Sequence, residues 1–241
     1  MCPKKKPENN LTAIILQARL DSSRLPEKAL LLLDGKPLIF RVMEALNRTE
    51  ADLRILACPE DSKAAFAPLA QEAGFQILAG PKDDVLERYC MAVRRFSVDR
   101  VIRATGDNPF VFADAAQEIN AQADALNADY SGYSGLPYGA GVESVSARAL
   151  LRAGEEARSP FEREHVCPYL YNHGELFRLH RPLAPLNWQD AGTKDAPSIR
   201  LTVDTKEDFD RAVELYASLK NEPNRYSGQA IIKRYTEIFQ K

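Results

Sequence analysis

The first half of the chain states one pattern four times: a short apolar run, then an amphipathic stretch of helical period. TAIIL (12–16) is followed by a helical pattern over 37–47, LRILAC (53–58) by one over 62–73, FQILA (75–79) by one over 84–96, and DRVIRAT (99–105) by one over 113–126. Neighbouring parallel strands need a crossover of a dozen or more residues, and an amphipathic helix fills it. The alternation therefore predicts right-handed βαβ units, a mainly parallel sheet and helices on both faces, an α/β fold in three layers. Ligands of such sheets sit beyond the carboxyl ends of the strands. The loops at 17–28, 58–61, 80–84 and 105–109 should therefore converge on one cleft.

Beyond residue 126 the pattern loosens. ADYSGYSGLPYGAG (128–141) reads as an extended loop or a β-arm, and VESVSARALLRAGEEA (142–157) as a strand that becomes a helix. PFEREHVCPYLYNH (160–173) reads as a helix that Pro168 kinks or divides. ELFRLHRPLAP (175–185) and SIRLTVD (198–204) read as strands, TKEDFDRAVELYASL (205–219) as a helix capped by Thr205, and a last helix starts near Gly228. With 45% apolar residues over 241 positions, the chain can bury one sizeable core. Residues 11–241 are read as one domain, 1–10 as a disordered tail, and about 128–185 as an extension for an acceptor or a dimer contact.

Charge narrows the function. Lys and Arg number 32 against 34 Asp and Glu, so no global basic field points to nucleic acid or to an anionic membrane. Any anion site must be local. No apolar run approaches the roughly 20 residues of a membrane span, and the lysines of the N-terminal ten residues are not followed by a signal-peptide core. The four cysteines, Cys2, Cys58, Cys90 and Cys167, form no CxxC pair, which reads as reduced thiols in the cytoplasm.

The local anion site is suggested by LQARLDSSRLPEK (16–28), set directly behind the first strand. Arg19, Arg24 and Lys28, with Ser22, Ser23 and backbone N–H groups, can cradle a triphosphate without a GxxxxGK[ST] loop. A merely solvated basic loop is the alternative. Gly106-Asp107-Asn108-Pro109 follows the strand VIRAT, and a carboxylate there suits Mg²⁺, although a turn or helix-capping aspartate would look the same. Asp204 closes the apolar run IRLTVD. Two aspartates at strand ends opposite a cationic loop supply a metal and triphosphate clamp, the apparatus of nucleotidyl transfer.

Five segments then carry a resemblance: LQARLDSSRLPEKALLLLDGKPLI, DDVLERY, VIRATGDNPFV, REHVCPYL and IRLTVDTKEDF. In this order they resemble the motifs of the cytidylyltransferase family, which activates acid sugars such as acylneuraminate and 3-deoxy-manno-octulosonate as CMP conjugates. The likeness is strongest to its shorter branch, named after spore-coat polysaccharide biosynthesis, and runs from about residue 12 to 219. It implies a Rossmann-like nucleotide-diphosphosugar transferase fold, CTP as donor, a small-molecule acceptor, Mg²⁺ as cofactor and a homodimer. It also implies that Arg19, Arg24 and Lys28 hold phosphates and that Asp107 and Asp204 hold the metal. Backbone groups of Gln17 and Ala18, with Ser23 and the loops containing Cys58, Pro59, Gly80 and Asp84, would form the nucleotide pocket, and Arg88 matches the DDVLxR segment.

The chain departs from that family twice. Glu27 stands where Leu-Pro-Gly-Lys has glycine, which strains the backbone if φ is positive there. Gly141 stands where an acidic residue commonly precedes the glutamate matched by Glu143. On the acceptor side the candidates are Tyr138, Glu143, Arg163 and His165, with Tyr133 and Glu164 near them. His165 can equally be a structural histidine, and Arg163 part of a surface charge pattern. Two rival functions stay open: a glycosyltransferase, whose Asp-x-Asp motif is matched only in part by Asp195-Ala196-Pro197, and a non-catalytic nucleotide-binding module.

Overall fold

A computed structural model describes residues 10–190, 192 and 198–240. Residues 1–9 of the tail expected over 1–10, and the partial motif at 195–197, lie outside the described residues. In chain order the strands are β1 (Thr12–Gln17), β2 (Leu32–Leu33), β3 (Lys36–Pro37), β4 (Leu53–Pro59), β5 (Gln76–Gly80), β6 (Arg100–Thr105), β7 (Tyr130–Ser131), β8 (Glu143–Ser146) and β9 (Leu179–His180). The helices are α1 (Leu38–Leu46), α2 (Lys63–Glu72), α3 (Val85–Phe96), α4 (Ala113–Ala125), α5 (Ala147–Glu156), α6 (Pro160–His165), α7 (Pro168–Asn172), α8 (Lys206–Leu219) and α9 (Gly228–Phe239).

Strand β1 is buried on both faces, and its alternation sets two cores. Ala13 and Ile15 pack with Leu86 and Tyr89 of α3 and with Leu150 of α5. Ile14 and Leu16 pack with Val42 and Met43 of α1, Phe66 of α2 and Ile119 of α4. A third cluster gathers Phe110 and Phe112 with Trp188, α8 and α9. The sheet order is β5-β4-β1-β6-β8-β7-β9, parallel from β5 to β6, with β8 antiparallel to both β6 and β7.

The four strands and four helices expected in the first half are present, each helix within one residue of its expected ends. Pro168 divides the 160–173 segment into α6 and α7 rather than kinking one helix. The 128–141 segment contributes β7 to the main sheet. Two strand expectations fail. In 175–185 only Leu179 and His180 form a strand, because Pro182 and Pro185 cannot donate to a ladder. Residues 198–204 form no strand either. Ile199 and Leu201 bond to Tyr138, and Val203 then turns its N–H to the Asp107 carbonyl at 2.8 Å, so the segment spends its bonds on two loops. The β2–β3 hairpin, turning on Asp34-Gly35, was announced by that dipeptide and missed.

Candidate active site

The loops after β1 and β6 line a cavity of about 470 Å³ at the carboxyl edge of the sheet, joined by Tyr138–Gly139 and Thr202–Asp204. That volume lies in the range of small-molecule sites. Arg19, Ser23, Arg24, Lys28, Asp107, Asp204, Gln17, Ala18, Arg88, Tyr138 and His165 all line it. The loops at 58–61 and 80–84, expected to converge on the same cleft, contribute no lining residue; Lys82 ties them to the first loop, pairing with Asp21 at 3.0 Å and with Asp61 at 3.4 Å.

At the centre lies Lys28. Its ammonium donates to the Val203 carbonyl at 2.7 Å, to Asp204 Oδ1 at 2.9 Å and to Asp107 Oδ2 at 3.1 Å. Arg24 reaches the same Asp204 oxygen at 3.0 Å. Asp107 Oδ1 accepts from the Thr105 hydroxyl at 2.7 Å, which fixes the carboxylate at the end of β6. Asp204 is anchored from behind, because Asp208 accepts from the backbone N–H of both Asp204 and Thr205 at 3.1 Å. Burial raises the Asp208 carboxyl, but hydrogen bonds from Asp204 N–H and from Arg211 outweigh it and hold the group below the usual carboxylate range.

Three backbone features aim this cluster. Glu27 adopts φ 50° and ψ 27°, so the family's glycine position does demand the left-handed region. Glutamate attains it with its side chain exposed, and the turn that delivers Lys28 is kept. Gly139 has φ +93°, and a Cβ there would lie 2.6 Å from the Thr202 nitrogen. Val166, fully buried, has φ 71° and ψ −59°, and the Cys167 N–H bonds to the His165 carbonyl at 2.9 Å. That is the rare positive-φ γ-turn, a strained arrangement that places His165 beside the cavity.

Other candidates are placed elsewhere. Cys58, Pro59 and Gly80 lie outside the cavity lining, since Cys58 is buried and Pro59 pairs with Gly80 at the end of the β4–β5 ladder. The Ala18 N–H is spent on the Ala57 carbonyl and the Gln17 carbonyl accepts from Gly106, so these two backbone groups are already engaged; the Gln17 side-chain oxygen is buried without a hydrogen-bond partner among the described residues. Asp84 caps α3 by accepting from Glu87 N–H, and Arg163 binds it at 2.9 Å through Nε while donating to the Gly154 carbonyl at 2.7 Å. Both therefore stand behind the cavity as a tie between α3 and α6. Glu143 is likewise engaged, by Arg103 at 2.5 Å and the Tyr130 hydroxyl at 2.7 Å, and it is Arg103 that lines the cavity. Tyr133 packs edge-on against Trp188, outside the lining.

A divalent cation suits what is present. Asp107 and Asp204 supply hard oxygen donors, the buried Asn108 Oδ1 has no hydrogen-bond partner among the described residues, and the Lys28 ammonium stands where a cation is wanted.

Comparison with known proteins fits this geometry. The family model described as cytidylyltransferase matches residues 13–234. The spore coat polysaccharide biosynthesis protein SpsF of Bacillus subtilis is 30% identical over 224 residues, covering 90% of this chain and 91% of that protein. A cytidylyltransferase structure from Leptospira borgpetersenii superposes with a TM-score of 0.83 at 21% identity over 95% of each chain. A CMP:2-keto-3-deoxy-manno-octonic acid synthetase complexed with CTP gives a TM-score of 0.66 at 16% identity, over 87% of this chain and 99% of that one. The two structures establish the shared fold; the family match, running from the first strand into the last helix, shows that this chain belongs to the cytidylyltransferase family.

Proposed function

We propose that the protein transfers CMP from CTP to an anionic sugar, or to another hydroxyl- or phosphate-bearing metabolite, and releases pyrophosphate for surface polysaccharide or glycoconjugate synthesis. The observation that carries this reading is the position of Lys28, drawn with Arg24 onto Asp107 and Asp204 at the ligand edge of the sheet. A polyanion entering there meets Arg19, Arg24 and Lys28 on one side and two metal-competent carboxylates on the other. The acceptor oxygen attacks the α-phosphorus, and the bond from that phosphorus to the pyrophosphate oxygen breaks. Such transfer depends on positioning and charge neutralisation, so no protein nucleophile is required. Asp107 and Asp204 would hold Mg²⁺, which when bound neutralises phosphate charge and polarises the reacting phosphorus. Arg19, Arg24 and Lys28 take up the charge of the departing pyrophosphate, while Tyr138 and His165 flank the space left for the acceptor.

The test is pyrophosphate release from each of the four nucleoside triphosphates, with Mg²⁺ and pools of sugar acids. CTP should be preferred, and Lys28→Ala should lower the rate on the order of 10²-fold or more while the protein stays folded. Near-normal release by that variant would end the assignment.

The same proposal places the enzyme in the cytoplasm, which the buried free thiols Cys58, Cys90 and Cys167 suit. Among the described residues no helix is long and apolar enough to cross a membrane. A homodimer belongs to it too, with Leu183 and Leu186, 65% and 87% exposed, as apolar surface for a second copy. Light scattering that returned a monomer at micromolar concentration would remove that element.

A further inference from the structure

Asp204 has two oxygens, and the structure treats them differently. Oδ1 meets Lys28 and Arg24 on the cavity side. Oδ2 is taken by Arg200 NH2 at 2.8 Å. Arg200 is itself fixed: its Nε donates to Asp208 Oδ1 at 3.1 Å, and its guanidinium lies 5.0 Å from the centre of the Tyr138 ring. Asp208, 5% exposed, accepts four hydrogen bonds, from Arg200, from Arg211 and from the backbone of Asp204 and Thr205. One buried carboxylate thus holds the main chain of Asp204 directly and its side chain through Arg200.

We propose that Arg200, anchored by Asp208, is a positioning residue that occupies Oδ2 of Asp204 and leaves Oδ1 as the single oxygen presented to the reaction. The inference rests on the proposed function in taking Asp204 as a carboxylate of the metal and phosphate side. The geometry calls for arginine in particular. Two donors of one rigid plane, Nε and NH2, each reach a different carboxylate, a fixed fork that the flexible ammonium of a lysine does not reproduce. Tyr138 closes the other face of the guanidinium, so a residue expected to serve an acceptor also steadies this arginine.

The experiment compares Arg200→Met and Arg200→Lys with the unaltered chain. Two readouts are used: steady-state kinetics with CTP and Mg²⁺, and Mn²⁺ binding without nucleotide, followed by the electron paramagnetic resonance of free Mn²⁺. With Oδ2 released, Asp204 gains an oxygen and loses a neighbouring cation, so Arg200→Met should bind Mn²⁺ several-fold more tightly. Its kcat should fall by about 10- to 100-fold, as expected when a reacting group moves by up to about 1 Å, with KM for CTP within about 3-fold. Arg200→Lys should recover less than about one tenth of the lost kcat, since charge alone does not restore the fork. An Arg200→Lys enzyme with near-normal kcat, or a loss confined to KM, overturns the proposal. Should no triphosphate release pyrophosphate even with the unaltered chain, the functional reading fails while the Mn²⁺ titration still decides this one: tighter binding by Arg200→Met supports it, and equal binding, or none by either protein, overturns it.

Discussion

Gly139→Ala isolates how closely the site depends on one backbone contact. Gly139 has φ +93°, where an L-residue is strained by about 1–2 kcal/mol. Its new Cβ would stand 2.6 Å from the Thr202 nitrogen and 3.0 Å from Asn108 Oδ1. Since ordinary carbon contacts begin near 3.4 Å, the segments carrying Gly139 and Thr202 must part by about 0.8 Å. Strain and repacking together cost about 3 kcal/mol, which at roughly 2–4 °C per kcal/mol lowers the melting temperature by about 6–12 °C. The displaced segment is the one that presents Asp204, and a shift approaching 1 Å lowers kcat by about 10²-fold. Gly74→Ala is the matched control: φ is +78°, yet nothing lies within 4 Å of the added carbon, and the residue follows α2. It should cost about 1 kcal/mol and leave kcat unchanged. Differential scanning calorimetry and pyrophosphate release measure both. A folded Gly139→Ala protein with kcat within 3-fold of the control would refute the idea that the Tyr138–Gly139 clasp sets the position of Asp204.

Arg163→Met should remove the tie between α3 and α6, costing about 1–3 kcal/mol by calorimetry with KM for the acceptor unchanged; a tenfold rise in that KM at an unchanged melting temperature would return Arg163 to the acceptor site. Burial pushes the Cys58 and Cys90 thiols up to about 11, and Cys167 well above its ordinary value, so thiol reagents at pH 8 should modify none of the three in the native protein. The same thiols give a pH dependence of definite sign. Unfolded cysteines lose their protons near pH 9 and the folded ones only near 11, so the native state binds more protons in that window and stability falls as pH rises through it. A melting temperature that is flat from pH 9 to 11 would contradict this.

What could be read from the residues, and what could not, follows from the range of the interactions. Periodicity is local, so β1, β4, β5, β6 and the helices between them were legible, as was the placement of Arg24, Lys28 and Asp107 at one edge. Glu143 and Arg163 were misplaced because each is claimed by a partner far away in sequence, Arg103 and Asp84, which no local pattern reveals. The 198–204 segment looked like a strand because its side chains alternate, but its hydrogen-bonding neighbours are two separate loops. Asp208 carried a local signal: Thr205 and Asp208 form a capping box, and a carboxylate at the third helical position can also serve the residues before the cap.

The lysine cradled by two carboxylates has a consequence for selectivity. At rest, Lys28 and Arg24 already lie on Asp204, and Lys28 on Asp107, so an incoming dication and an incoming phosphate each compete with a contact already made. A nucleotide that arrives with its own metal offers both signs at once, and every contact it breaks is replaced by one it brings. Entry is then a double exchange of counter-ions, in which each half of the ligand eases the entry of the other.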